Sequence, residues 1–132
     1  MLTRLSLLTA ALIVMAGCAG SNSSVTPSAF AGSYTGTWVN TTDATDAGTS
    51  LWSVDSEGRV DGQDFDPVRG TTFHVVGRID AAGHLISNST PTTGSSATLN
   101  GDLAFNAQSK LTGQLVWGVV PPLTYTYTFT RK

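Results

Sequence analysis

Residues 54–63 read VDSEGRVDGQ, residues 79–88 read IDAAGHLISN, and residues 105–114 read FNAQSKLTGQ. Each stretch opens with an apolar residue and then Asp55, Asp80 or Asn106. Two unconstrained positions follow, then Gly58, Gly83 or Ser109, a basic residue and a second apolar one. An Asp or Asn side chain at the head of a turn accepts backbone N–H groups within it, and a glycine supplies the positive φ that a short hairpin loop needs. Each stretch therefore predicts a tight hairpin, with Ser109 the one departure from glycine. Starts at residues 54, 79 and 105 leave room for two strands and two loops per unit, so the repeating element is a hairpin.

Outward from these turns, short runs of alternating apolar and polar residues continue to the C-terminus, and no stretch sustains a helical period. Eight strands are predicted: Ser33–Val39, Thr49–Val54, Arg59–Gln63, Thr71–Ile79, His84–Ser89, Ala97–Phe105, Lys110–Trp117 and Leu123–Arg131. One face carries Val75 and Ile79, Leu99 and Leu103, Leu111 and Leu115, then Tyr125, Tyr127 and Phe129. A face this apolar along consecutive hairpins has to be covered. The expected fold is all-β, an eight-stranded antiparallel up-and-down meander barrel, which covers the face and removes its edges. A two-sheet β-sandwich is the alternative, since a period of two suits both. A membrane-spanning barrel is disfavoured: the opposite face carries Thr124, Thr126, Thr128 and Thr130, with His74 and Arg78, and suits water better than lipid.

The first strand and its approach read FAGSYTGTWVN from Phe30, and the chain ends TFTRK. Gly36-Thr37-Trp38 together with Arg131 resembles the ends of the calycin group of small meander barrels, which includes lipocalins, fatty-acid-binding proteins and avidins. The resemblance implies that Trp38 closes one end of the barrel and that Arg131 packs over it. It implies no ligand residue by itself.

The N-terminal segment has Arg4, an apolar core over Leu5–Val14, and small residues Ala16 and Gly17 before Cys18, the only cysteine. This is the pattern of an export leader, and the run is short for a bilayer span. The stretch VMAGC resembles the lipobox of bacterial lipoproteins, with Met15 where leucine is usual. The resemblance implies cleavage before Cys18, acylation of its thiol, and, from Ala19 in a diderm, sorting to the outer membrane. Two or three acyl chains anchor stably where one is marginal. An ordinary leader with a coincidental cysteine is the alternative, but a lone exposed thiol is a liability in an oxidising compartment. The domains are thus a leader over residues 1–17, an acylated Cys18 with a Ser-rich tether to residue 29, and a barrel over residues 30–132.

Charged residues make up 12% of the chain and the net charge is −2, which lacks the basic field that nucleic acid requires. His74 and His84 have no metal-ligand spacing around them, and no G-x-S-x-G elbow is present. Neither a metal, another cofactor nor catalysis is expected. Asp61, Asp64 and Asp66, like Asp43 and Asp46, read as solvated loop acids. The candidate contacts for a ligand or partner are Trp52, Trp117, Tyr34 and Phe65, with Asn40 or Ser53 as hydrogen-bonding groups. Trp52 and Trp117 read foremost as core. Phe65, Pro67 and Val68 lie in an expected loop over residues 63–70, either folded back on the barrel or exposed to a partner. The functional expectation is a non-enzymatic envelope lipoprotein, a lipid-anchored binding or structural module. Its partners would be the membrane and an envelope protein. The alternatives are a periplasmic protease-inhibitor-like protein, using SNSSVTPSAF as its inserted segment, and a carrier of a small apolar or planar ligand.

Overall fold

The structure, a computed structural model, describes residues 26–132. The leader over residues 1–17, the acylation site Cys18 and the tether up to residue 25 lie outside the described residues. Eight antiparallel strands run in chain order, each paired with the next: β1 (Gly32–Asn40), β2 (Ala47–Val54), β3 (Arg59–Asp66), β4 (Thr71–Ile79), β5 (His84–Pro91), β6 (Ala97–Phe105), β7 (Leu111–Trp117) and β8 (Leu123–Arg131). β8 returns to pair with β1 and closes the barrel. The expected meander barrel is the observed fold, and the sandwich alternative falls away.

The three repeated turns follow one design. Asp55 Oδ1 accepts the N–H groups of Glu57 and Arg59, Asp80 Oδ1 those of Ala82 and His84, and Asn106 Oδ1 those of Gln108 and Lys110, all at 2.9–3.0 Å. Gly58 and Gly83 have φ of 82° and 89°, and Ser109 adopts 59° in the same place. A Cβ on Gly83 would lie 2.0 Å from the carbonyl oxygen of Leu103. Glycine is therefore required there by space as well as by backbone conformation.

These turns share one end of the barrel with the chain's first described residues. Ser28 N–H donates to Ser56 O at 2.8 Å, and the Phe30 ring stacks on Phe105 with centroids 5.7 Å apart. Ser28 and Ala29, expected as tether, thus belong to the packed domain. Arg131 closes this end: its guanidinium carbon lies 4.8 Å from the Phe105 ring centroid and 5.5 Å from that of Tyr34. Its Nη2 donates to Tyr34 Oη at 2.9 Å and to Ala29 O at 2.8 Å, and Tyr34 Oη donates to Phe30 O at 2.6 Å. This corrects the expected pairing of Trp38 with Arg131. In register, Arg131 stands opposite Tyr34, while Trp38 stands opposite Tyr127. Four residues along a strand is roughly 13 Å, so Trp38 belongs to the other half of the barrel.

Inside, apolar side chains fill the closed end: Tyr34, Val54, Val60, Ile79, Leu85, Leu103, Leu111 and Phe129 are buried. Eight strands enclose an interior just wide enough for side chains to fill. Two glycines make room for indoles on the neighbouring strand. A Cβ on Gly48 would fall 2.4 Å from the Trp38 ring, and one on Gly62 would fall 2.3 Å from the Trp52 ring.

Candidate functional site

The other end of the barrel holds the β1–β2, β3–β4, β5–β6 and β7–β8 loops, and its interior is polar. β3 is responsible. It runs to Asp66 rather than stopping at Gln63, and it keeps Val60, Gly62, Asp64 and Asp66 inward with Asp61, Gln63 and Phe65 outward. Asp64 is 4% and Asp66 1% exposed, which overturns their reading as solvated loop acids. The strand inverts the usual rule at this point, because its apolar side chain faces out and its acids face in.

Asp64 survives burial because three donors surround it. Ser50 Oγ donates to Oδ1 at 2.6 Å, Trp52 Nε1 to the same oxygen at 2.8 Å, and Tyr127 Oη to Oδ2 at 2.6 Å. A buried carboxylate is tolerable when its lone pairs are satisfied in this way. Burial pushes the Asp64 carboxyl above its ordinary value, opposed by hydrogen bonds from Ser50, Tyr127 and Trp52 that favour the ionised form. Tyr127, buried beside it, is raised well above the ordinary phenol range by desolvation and then by the Asp64 charge.

Asp66 ends β3 and starts the next turn, accepting the N–H groups of Val68 at 3.0 Å and Arg69 at 3.1 Å. The Arg69 guanidinium folds back over it, with Nη1 2.5 Å from Asp66 Oδ2 and 3.2 Å from Asp46 Oδ1. Burial alone would raise the Asp66 carboxyl, but the hydrogen bonds and charge of Arg69 outweigh it and hold the value below normal. Asp46 also accepts from Asn40 Nδ2 and Tyr125 Oη, each at 3.0 Å. Asn40, Asp46, Asp66, Arg69 and Tyr125 therefore form one connected rim.

Beneath this rim lies a cavity of about 40 Å³ that opens at the loop end. Its lining includes Trp38, Phe73, Ser89, Leu99, Trp117 and Tyr125, with Asp64 and Tyr127 at depth. Trp38 meets Tyr125 edge to face at 5.3 Å, and Phe73 meets Trp117 likewise at 5.7 Å. Trp38 Nε1 and Trp117 Nε1 are buried without a hydrogen-bond partner among the described residues.

Of the residues nominated from sequence, only Trp117 reaches the cavity directly. Trp52 is core, 4.7 Å from the Phe129 ring, and acts by holding Asp64. Tyr34 serves the closed end, and Asn40 sits in the rim. Ser53 is exposed on the outer wall. Phe65 is also on the outer wall and 45% exposed, and Val68 is 70% exposed, so this segment does not fold back on the barrel. Trp38, assigned to end closure, lines the cavity instead. Asp64, Asp66, Asp46 and Arg69 were missed as site residues. The available signal was an acid at every second position of DFD, the period of a strand.

The two histidines have carboxylate partners that only the sheet supplies. His74 Nε2 lies 2.8 Å from Asp61 and His84 Nδ1 2.7 Å from Asp102, all on the exposed outer face. Among the described residues no group of three or more His, Cys, Asp or Glu side chains is placed to hold a metal ion. Comparison with known protein families, with curated proteins and with solved structures finds no match for this chain.

Proposed function

We propose that this protein is a non-enzymatic envelope lipoprotein, anchored in the bacterial outer membrane through acylated Cys18, whose barrel offers its loop-end mouth to a ligand. The observation that carries the reading is the opposition of the two ends. The chain before residue 30 joins the barrel at the closed end, through Ser28 and Phe30. An incompletely filled part of the interior, lined by aromatic rings with the buried acids at depth, is at the other. A tether from Cys18 therefore holds the closed end toward the membrane and leaves the mouth facing away. Concave sites with aromatic walls and a few convergent polar groups are the usual form of small-molecule sites.

The two alternatives draw less support. Ser28 and Phe30, at the end of the segment an inhibitor would insert, are fastened to the barrel. A carrier of a small apolar or planar ligand would have to take it into a cavity of about 40 Å³, room for about three waters.

The anchor is tested by labelling cells with an alkyne-bearing palmitate. The native chain takes up the label and stays with the outer membrane through a high-salt wash, whereas Cys18→Ala does neither. Retention of Cys18→Ala in that fraction overturns the anchor. The orientation is tested with fluorophores at Ser56→Cys and Val120→Cys, the latter position being 99% exposed at the mouth. Lipid-surface quenchers should dim the Ser56 site more, and the opposite order overturns the geometry.

A further inference from the structure

We infer that the closed end carries a headgroup site for anionic phospholipid, a groove in which Lys110 and Arg131 receive the phosphate of a lipid from the anchoring membrane. This rests on the reading that the closed end faces that membrane.

The three repeated turns share a geometry and differ in charge. In the first, Arg59 lies 3.8 Å from Asp55 and 2.5 Å from Glu57, and in the second His84 lies 2.7 Å from Asp102. The third turn has Asn106 and Gln108 where the first has Asp55 and Glu57, and Lys110 as its basic residue. Asn106 accepts the same two N–H groups as its acidic counterparts, so the turn forms without a negative charge. Lys110 consequently has no ion pair among the described residues. On the adjacent strands Ala104, Thr128 and Thr130 carry no charge to offset it.

Arg131 adds a second cation whose protein partners are neutral. Its Nε and Nη2 donate to Tyr34 Oη and Ala29 O, and its Nη1 makes no hydrogen bond among the described residues. A guanidinium has five N–H groups to donate, so some remain for a ligand. The side chain is already fixed against the rings of Phe105 and Tyr34, and little freedom is lost when an anion binds.

Both cations line one open groove of about 440 Å³, with Phe105, Gln108, Ser109 and Thr130. Two cations, an amide and two hydroxyls, with no carboxylate side chain among them, suit a phosphate. Phe105, 38% exposed, offers an apolar surface to the rest of a lipid. The chain also joins the barrel here, Phe30 stacking on Phe105, so a tether to the membrane brings lipid phosphate to this groove ahead of free phosphate. Each Lys or Arg near an anionic leaflet raises membrane affinity by about fivefold.

The test uses the full-length, nitrogen-15-labelled protein in uncharged maltoside micelles. The probe is dihexanoyl phosphatidylglycerol, compared with dihexanoyl phosphatidylcholine and with inorganic phosphate. Saturable binding of the phosphatidylglycerol is expected to shift the Arg131 Nε–H resonance and the amides of Gln108, Ser109 and Lys110. Lys110→Gln should weaken it by about fivefold. Arg78→Gln, an exposed position opposite Arg59 and outside the groove, should leave it unchanged. Equal weakening by the two variants means attraction to the whole end and overturns the site, as does equal binding of the phosphatidylcholine. Inorganic phosphate binding as tightly overturns the lipid as occupant. If the groove resonances do not shift, the site falls, while the orientation stands or falls separately on the quencher order at Ser56 and Val120.

Discussion

Replacing Tyr127 with Phe isolates the Asp64 site with least disturbance. The ring remains, with its contacts at 5.6 Å to Trp52 and 5.7 Å to Phe129. What is lost is the hydroxyl that donates to Asp64 Oδ2 at 2.6 Å. A hydrogen bond to a charged group contributes about 1.5–3 kcal/mol, so Tyr127→Phe should lower unfolding stability by about that amount at pH values above the raised folded value of Asp64, where the carboxyl is ionised. In an Asp64→Asn background the same bond is neutral and should be worth only about 0.5–1.5 kcal/mol. The difference is the coupling a double-mutant cycle reads.

The pH dependence gives a second check. Burial raises the Asp64 carboxyl in the folded state, so folding favours its protonated form. The stability this group contributes is full below the unfolded value of 3.8 and is lost as pH rises through the raised folded value. The Tyr127 hydroxyl opposes that loss, so the Tyr127→Phe penalty should grow as pH rises through the raised folded value of Asp64. Urea unfolding of the four proteins across that range measures all of this. A penalty that is equal in the Asp and Asn backgrounds, or flat with pH, would refute the account of Asp64 as a buried carboxylate held by three donors.

Other expectations follow from the turns, the closed end and the outer face. Ser109→Gly relieves a non-glycine residue at φ 59° and should stabilise by up to about 1 kcal/mol. Gly83→Ala places a Cβ 2.0 Å from Leu103 O and should cost at least about 2 kcal/mol; urea midpoints decide both. A double-mutant cycle of Arg131→Ala with Tyr34→Phe should show coupling of about 0.5–3 kcal/mol, and one with Trp38→Phe almost none. The reverse order would restore the Trp38–Arg131 pairing. The hydrogen bond to Asp102 raises the His84 value above 6.5, so His84 favours folding below 6.5 and loses that contribution as pH rises through its folded value. Proton NMR titration should find Asp102→Asn moving His84 back down, and no change would contradict the pairing at 2.7 Å.

Most of the barrel was legible because its signals are local. The turn residues Asp55, Asp80 and Asn106 each act within a few positions of themselves, and the alternation of Leu99 with Leu103 or Tyr125 with Tyr127 needs only a period of two. The third turn forms like the others even without glycine, because its Asn106 acceptor supplies the same two bonds. Legibility failed where partners are remote. Asp64 reads as a surface acid until Tyr127, 63 residues later, and Ser50 and Trp52 on the strand before it are brought around it. Arg131 reads as the partner of Trp38 until register places Tyr34 opposite it.

Sequence alone therefore determined the all-β class, the hairpin turns and the strand count, since hydrogen bonds within a turn and the pleat of a strand are written in adjacent residues. Tertiary structure decided which end is closed, which acids are buried and which rings line the mouth. Those depend on closure of β8 onto β1 and on the register of every pair between, and a single residue's slip in register would turn Asp64 and Asp66 outward.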